Sequence, residues 1–189
     1  MTIRAAAPAD SPAVDAVVAA AFGAHGPRVL EMMHRLDATE ATRLDLVADE
    51  DDDVVGHVRL SRAWIDASER LVEILMLTPL AVEPSRQSQG IGTLLLDTAL
   101  AAADAAHSPA VVLEGSPGFY ARRGFVPAAS HGLLRPSRRI PEPAFQVAPL
   151  SAHLPWMVGR VVYPEAMWQT DTVGLRDPEL EQLDGPSRS

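Results

Sequence analysis

Three stretches carry residues that could do chemistry. The first is Gln87-Ser88-Gln89-Gly90-Ile91-Gly92-Thr93, which follows the apolar run Leu80-Ala81-Val82-Glu83-Pro84 and leads into an amphipathic helix. A strand, a glycine turn and a helix start make an anion site. The first N–H groups of a helix have no intrahelical partner, and the helix dipole adds positive character at the same end. Glycines at 90 and 92 let a phosphate approach the backbone closely. The second stretch is Gly115-Ser116-Pro117-Gly118-Phe119-Tyr120-Ala121-Arg122-Arg123-Gly124-Phe125, which holds a tyrosine among arginines. The third is a scatter of acids on or beside strands, Glu73, Glu83 and Glu114, any of which could accept a proton.

Two nucleotide motifs fail on their own residues. A Walker loop needs Gly-Lys-Ser/Thr at the helix start, and Gly92 is followed by Thr93 and Leu94. A dinucleotide fingerprint needs a third glycine, and position 95 is Leu. There are no cysteines, which removes thiolate nucleophiles, disulfides and Cys-based zinc sites. The six histidines form no H-x-x-x-H pair, and there is no Gly-x-Ser-x-Gly elbow. The five consecutive acids at 49–53 lack the spacing and glycine of a calcium loop and read as a hairpin turn. No metal is expected.

Gln87-x-x-Gly90-x-Gly92 after Leu-Ala-Val-x-Pro resembles the acetyl-CoA pyrophosphate motif of the GNAT N-acetyltransferase superfamily. Phe119-Tyr120-x-x-x-Gly124-Phe125 resembles that family's second segment, in the expected order and at about the expected distance. The likeness spans roughly residues 2 to 148. It is nearest in feel to a bacterial branch with a Gly-x-Pro-x-x-Tyr loop and an extra C-terminal strand.

The resemblance implies an α/β (α+β) fold: a mixed, mostly antiparallel twisted sheet of about seven strands flanked by helices. It implies acetyl-CoA as co-substrate, held by Leu80, Ala81, Val82, Gln87, Ser88, Gln89, Gly90, Ile91, Gly92, Thr93, Ser116, Tyr120 and Arg123. Backbone at 80–82 would align the pantetheine arm, and an N–H near Leu80 would polarise the thioester carbonyl. Tyr120 would be the general acid beside the departing sulfur, since a phenol stays protonated at neutral pH. Glu73 and Glu83 are the first candidates for general base, with Glu114, His34 and His57 behind them. Glu114 would otherwise cap its loop or bind an acceptor amine. The segment Glu114-Gly115-Ser116-Pro117 departs from the asparagine and longer helix of commoner members. Phe22, Met32, Met33 and His34 become candidate lining for the acceptor. The implied reaction is direct attack by a primary amine, on a small molecule or a protein, in a ternary complex. The alternative is an acyl-CoA-binding module without turnover.

The positioning elements follow from pattern. Thr2–Ala6 reads as a strand. A helix runs to Phe22 with Val14, Val17 and Val18 on one face, and another runs from Pro27 to Leu36. Strands at 44–48, 54–65 and 71–82 form an antiparallel meander. Pro79 inside the last of these has no N–H for a ladder and predicts a bulge or a parting of strands. Gly90–Ala106 is the strongest helix. Ala110–Leu113 is a buried parallel strand, and Ser116–Arg122 a short helix capped by Gly124.

Eight of the 16 prolines fall in 136–189. Two strands are expected there, at 144–150 and 157–163. Trp156, Tyr163 and Trp168 could pack on the domain, line the acceptor pocket or make a homodimer contact. We expect one domain over 1–168, with Pro-rich C-terminal strands at 136–168, and a polar tail over 169–189. The 189 residues are 47% hydrophobic with a net charge of -9, so a globular protein is expected. No basic stripe for nucleic acid is present, and the acidic balance mildly favours a cationic substrate. With no signal sequence or long apolar span, a cytoplasmic location without membrane contact is expected.

Overall fold

The computed structural model describes residues 1–174. Strands β1 (Thr2–Ala5), β2 (Thr42–Glu50), β3 (Asp53–Ala67) and β4 (Leu71–Val82) form the antiparallel half of one sheet. Strands β5 (Ala110–Glu114), β6 (Val126–Pro127), β7 (Leu133–Leu134), β8 (Phe145–Pro149) and β9 (Gly159–Val162) complete it. The order is β1-β2-β3-β4-β5-β8-β6. The second half of β3 outruns β2, and β9 takes over the vacated edge, pairing Trp64–Ala67 with Gly159–Val162. β7 then pairs with β9. The expected mixed, mostly antiparallel sheet is what forms. The sequence also reads Phe125–Val126 as a strand after the Gly124 cap, which β6 matches to within a residue, and β7 is the strand that was not expected, too short to show a period.

Helices α1 (Ser11–Phe22) and α2 (Gly26–Ala38) cover one face, and α3 (Ile91–Ala105) covers the other. Alternation along the strands feeds both layers. On β3, Val58 and Leu60 face α3, while Ala63 and Ile65 face the α1–α2 side. Gly56 lies under α3, where a Cβ would come within 2.9 Å of a Leu95 methyl. The acid run is a tight turn, with Asp51 and Asp52 at positive φ. Its flanking acids are ion-paired, Asp49 with Arg4 and Glu50 with Arg86.

β4 and β5 part soon after they meet. The parallel pairing is brief: Leu75 opposite Val111 and Met76 opposite Val112. Beyond it β4 runs on for six residues without β5. In the same stretch the β3–β4 register shifts between Val58 opposite Leu80 and Leu60 opposite Leu77, so Thr78 and Pro79 together oppose Arg59. Pro79 thus sits in the expected bulge, where a missing N–H costs no ladder bond. The Thr78–Pro79 peptide is cis.

The C-terminal aromatics divide. Tyr163 is buried, Trp156 packs partly on the core with Arg70 over its ring, and Trp168, on α5 (Glu165–Gln169), is exposed. Residues 170–174 belong to the stretch expected as polar tail. Here they are packed, with Thr170, Thr172 and Val173 buried. Positions 175–189 of that stretch lie outside the described residues. Among the described residues no helix is long and apolar enough to cross a membrane, and no cluster of three or more acids and histidines could hold a metal ion.

Candidate active site

A cleft of about 930 Å³ opens where β4 and β5 part. One wall is the end of β4 and the start of α3: Leu80, Val82, Gln87, Ser88, Gly90, Ile91, Gly92 and Thr93. Gly90 is the N-cap of α3 at φ +87, and Ser88 also has positive φ. Two glutamines brace this loop. The Gln87 side-chain amide donates to the Val82 carbonyl at 3.1 Å, and that of Gln89 to the Ser85 carbonyl at 3.3 Å. Gln87 therefore faces the cleft while its amide is spent on the loop, and Gln89 is not part of the cleft wall.

Gly92 differs from Gly90. A Cβ built on it would lie 3.6 Å from Val82, 3.7 Å from Phe119 and 4.0 Å from Leu80, all ordinary contacts. The absent side chain at 92 thus points into the slot between β4 and the facing wall. A methyl group fits there, and a large side chain would fill the slot. At Gly90 the cost of a side chain lies in its left-handed φ.

The facing wall is α4 (Pro117–Tyr120) and the turn after it. Ser116, Phe119, Tyr120 and Arg123 line the cleft. Arg123 ties this wall to α3: its Nη2 donates to Thr93 Oγ1 at 2.6 Å, its Nε to the same oxygen at 3.1 Å, and its guanidinium lies 3.7 Å over the Phe119 ring. It also donates to the Phe119 carbonyl. Tyr120 stands edge-on between Phe119 and Phe125, with centroids 4.9 and 5.6 Å away. Its ring rests on the backbone of Gly115, where a Cβ would come within 2.3 Å of Cε2. Gly115 is held in turn by its N–H to the Ala144 carbonyl at 3.0 Å and by the Gln146 amide donating to its carbonyl at 3.0 Å.

The remaining wall comes from far along the chain. Phe22, Val29 and Met32 arrive from α1 and α2, His25 from the turn between them, Met76 to Pro79 from β4, Glu114 from β5, and Met167 and Thr172 from the C-terminal segment. Glu114 Oε2 accepts the Gly174 N–H at 2.9 Å, while Oε1 is buried without a hydrogen-bond partner. Burial pushes this carboxyl from 4.5 up to about 7, against the Gly174 N–H, the Tyr163 hydroxyl and Arg139, which favour the anion.

Of the cofactor-side residues read from the sequence, only Ala81 and Gln89 stand out of the cleft. Ala81 faces the α1–α2 core, as alternation with Leu80 and Val82 requires. The proposed bases fare differently. Glu73 is exposed and ion-paired to Arg43 at 3.0 Å. It lies seven residues from Leu80 on β4, about 23 Å away at the strand rise. Glu83 ends the strand outside the cleft wall and accepts the Ser85 hydroxyl at 2.7 Å. His34 is on the outer face against Asp15. His57 is fully buried against Asp45. Although burial would raise Asp45, His57 and Arg59 hold it below the usual carboxylate range. Met33 is in the core, whereas Phe22 and Met32 reach the cleft. Gly115, Met76, Met167 and Thr172 were not read as site residues. The acid closing the apolar strand Ala-Val-Val-Leu-Glu was the one available signal for Glu114, since ligands gather at the carboxyl ends of strands.

The sheet order, the parted parallel strands and the cleft above them are those of a GNAT-type acyltransferase fold. Residues 45–127 match the family described as Acetyltransferase (GNAT) domain. The chain is 32% identical over 134 residues to the uncharacterised N-acetyltransferase YhbS of Escherichia coli K12, covering 70% of this chain and 78% of that protein. It superposes on the crystal structure of E. coli YhbS in complex with CoA with a TM-score of 0.78 at 30% identity, covering 88% of this chain and 91% of that one. A GNAT family acetyltransferase from Brucella melitensis in complex with acetyl-CoA gives 0.71 at 30% identity, covering 88% and 97%. The chain belongs to the GNAT family of acetyltransferases.

Proposed function

We propose that this acyltransferase moves the acetyl group of acetyl-CoA to a primary amine by direct attack within a ternary complex. The observation that carries the reading is the slot between β4 and α4, kept open by the absent side chain of Gly92 and ending at Tyr120. The neighbours solved with CoA and with acetyl-CoA support acetyl-CoA as the co-substrate.

In this reading the start of α3 from Gly90 to Thr93 receives the pyrophosphate through backbone N–H groups, with helix polarity adding to the attraction. The braces from Gln87 and Gln89 hold the loop in that shape before binding, and Arg123 locks α4 against α3. The edge of β4 at Leu80 and Val82, left unpaired by β5, offers backbone groups to the pantetheine amides. A backbone N–H there would receive the developing negative charge on the thioester oxygen. One such donor typically contributes about 10²–10³ in rate. Tyr120 is placed to give its hydroxyl proton to the departing sulfur. When bound, acetyl-CoA supplies the activated acyl group, and the chain supplies orientation and protons.

Calorimetric titration with acetyl-CoA, using ATP and NAD as controls, tests the cofactor. Thiol release against a panel of amines tests the reaction. Selective binding of acetyl-CoA with amine-dependent release is expected. Equal affinity for ATP would sink the cofactor assignment, and binding without release from any amine would favour a module without turnover.

A further inference from the structure

The family resemblance counts Arg123 among the cofactor ligands, yet its surroundings are those of a clip. A guanidinium carries five N–H donors in a planar fork. Three of them are engaged within the chain. Nη2 and Nε both donate to Thr93 Oγ1, at 2.6 and 3.1 Å, and Nη1 donates to the Phe119 carbonyl. A hydroxyl oxygen has two acceptor positions, so one side chain takes both of those on Thr93. The guanidinium carbon lies 3.7 Å from the centroid of the Phe119 ring, a close cation–π contact. The two ends of the clip belong to different parts of the site. Thr93 is the third residue of α3. Its N–H precedes the first bond of that helix, from the Leu94 N–H to the Gly90 carbonyl at 3.0 Å, and so is one of the donors left over at the helix start. Phe119 comes directly before Tyr120 and meets it edge-on, with centroids 4.9 Å apart. α4 is four residues long, too short to hold its shape by helix bonds alone. Arg123 fixes both the carbonyl and the ring of Phe119, and Phe119 backs the phenol.

We propose that Arg123 is a positioning residue: by joining Thr93 to Phe119 it sets Tyr120 against the start of α3, and its guanidinium is not a phosphate contact. This rests on the acetyl-transfer reading above. In that reading the cofactor is held by the start of α3, while the phenol stands on a separate short turn. The distance between phenol and departing sulfur therefore depends on what joins the two elements. A reacting group misplaced by about 1 Å can cost on the order of 10²-fold in rate. Charge alone would suit a phosphate equally well, and the shape of the group separates the two roles. Lys keeps the charge, but as a point donor on a flexible stem it cannot reproduce the planar fork or lie flat on a ring.

The test uses the full chain, whose only two tyrosines are Tyr120 and Tyr163. With ring-labelled tyrosine each gives its own NMR signal, and Tyr120→Phe assigns them by loss. Arg123→Met, Arg123→Lys and Thr93→Val should each shift or broaden the Tyr120 signal and leave that of Tyr163 in place. Thr93→Ser, which keeps the acceptor oxygen, should recover most of what Thr93→Val loses. Acetyl-CoA affinity by calorimetry should stay within a few-fold throughout. For each amine of the panel that wild type acetylates, kcat should fall roughly 10- to 100-fold in Arg123→Met, Arg123→Lys and Thr93→Val. Thr93→Val combined with Arg123→Met should be no worse than Arg123→Met alone, because both break one contact. Thr93→Val is near-isosteric and carries the test if Arg123→Met does not fold. An unchanged Tyr120 signal in Arg123→Met and Thr93→Val overturns the proposal, as does a displaced Tyr120 with undiminished kcat. A Lys variant that keeps wild-type affinity and kcat while the Met variant loses acetyl-CoA also overturns it, since that is the pattern of a phosphate contact. A wild type that binds no acetyl-CoA, or acetylates no amine, overturns the transferase reading instead, and the Tyr120 signal still decides the clip.

Discussion

The two sides of the cleft are built in opposite ways. The side facing α3 is local. A strand end, a braced loop and a helix start within Leu80–Thr93 present backbone groups, and Arg123 clips the neighbouring turn onto them. The far side is assembled from segments remote in the chain: α1, α2 and the turn between them, the middle of β4, the end of β5 and residues 167–174. It presents side chains, most of them apolar, around what is, among the described residues, a single carboxylate. A backbone surface suits a ligand part shared by many relatives, because it depends on fold and not on side-chain identity. A side-chain surface can change with a few substitutions, so it is where acceptor choice would reside.

The largest break between the two sides is expected from Gly92→Trp. The indole would fill the slot between Val82 and Phe119, and acetyl-CoA affinity should fall by more than about 100-fold. Unaltered affinity in a folded variant would remove the slot from the cofactor site. Tyr120→Phe stands at the junction of the two sides. Loss of its proton should lower kcat by roughly 10²-fold with acetyl-CoA affinity within a few-fold, and an unaffected kcat would take the phenol out of the reaction.

Glu114→Gln sharpens the comparison through stability, independently of any acceptor. The folded protein holds the Glu114 proton more tightly than the unfolded chain does, with 4.5 raised to about 7. Its contribution is therefore full below about pH 4.5 and is lost as pH rises through 7. Glu114→Gln should leave stability at pH 4 unchanged and raise it at pH 8, by on the order of 3 kcal/mol. Denaturant unfolding at the two pH values measures this, and equal shifts at both would mean that the carboxyl is not under strain. The smallest effect is expected from Glu73→Gln. It loses an exposed ion pair with Arg43, worth about 0–1 kcal/mol. Turnover should stay within about twofold, and a large loss would restore Glu73 as a base.

Much of the fold was legible. The meander, the strong helix from Gly90 and the bulge at Pro79 each follow from period or from one residue's covalent geometry. The return of the chain as a strand at Phe125–Val126 was legible from the glycine cap before it and is β6, whereas the two-residue strand β7 was not, because it has too few side chains to show alternation. The loop at 87–93 and Tyr120 were legible for a similar reason, as glycine spacing and helix polarity are local facts. Glu73 and Glu114 show the opposite case. Both are glutamates on strands, and sequence favoured the first because it lies on the central strand. Packing separated them: Glu73 reaches solvent and Arg43, while Glu114 is closed in by Tyr163 and Gly174.

By itself the sequence determined the glycine loop that opens α3, the phenol, the absence of cysteine and the succession of elements that sets the sheet. Each depends on residues near one another in the chain or on composition. Only the tertiary structure decided which carboxylate is buried in the cleft, and that Met167 and Thr172 return to wall it. Burial and proximity between positions 60 residues apart, such as Glu114 and Gly174, depend on how the chain closes on itself, and no local pattern records that.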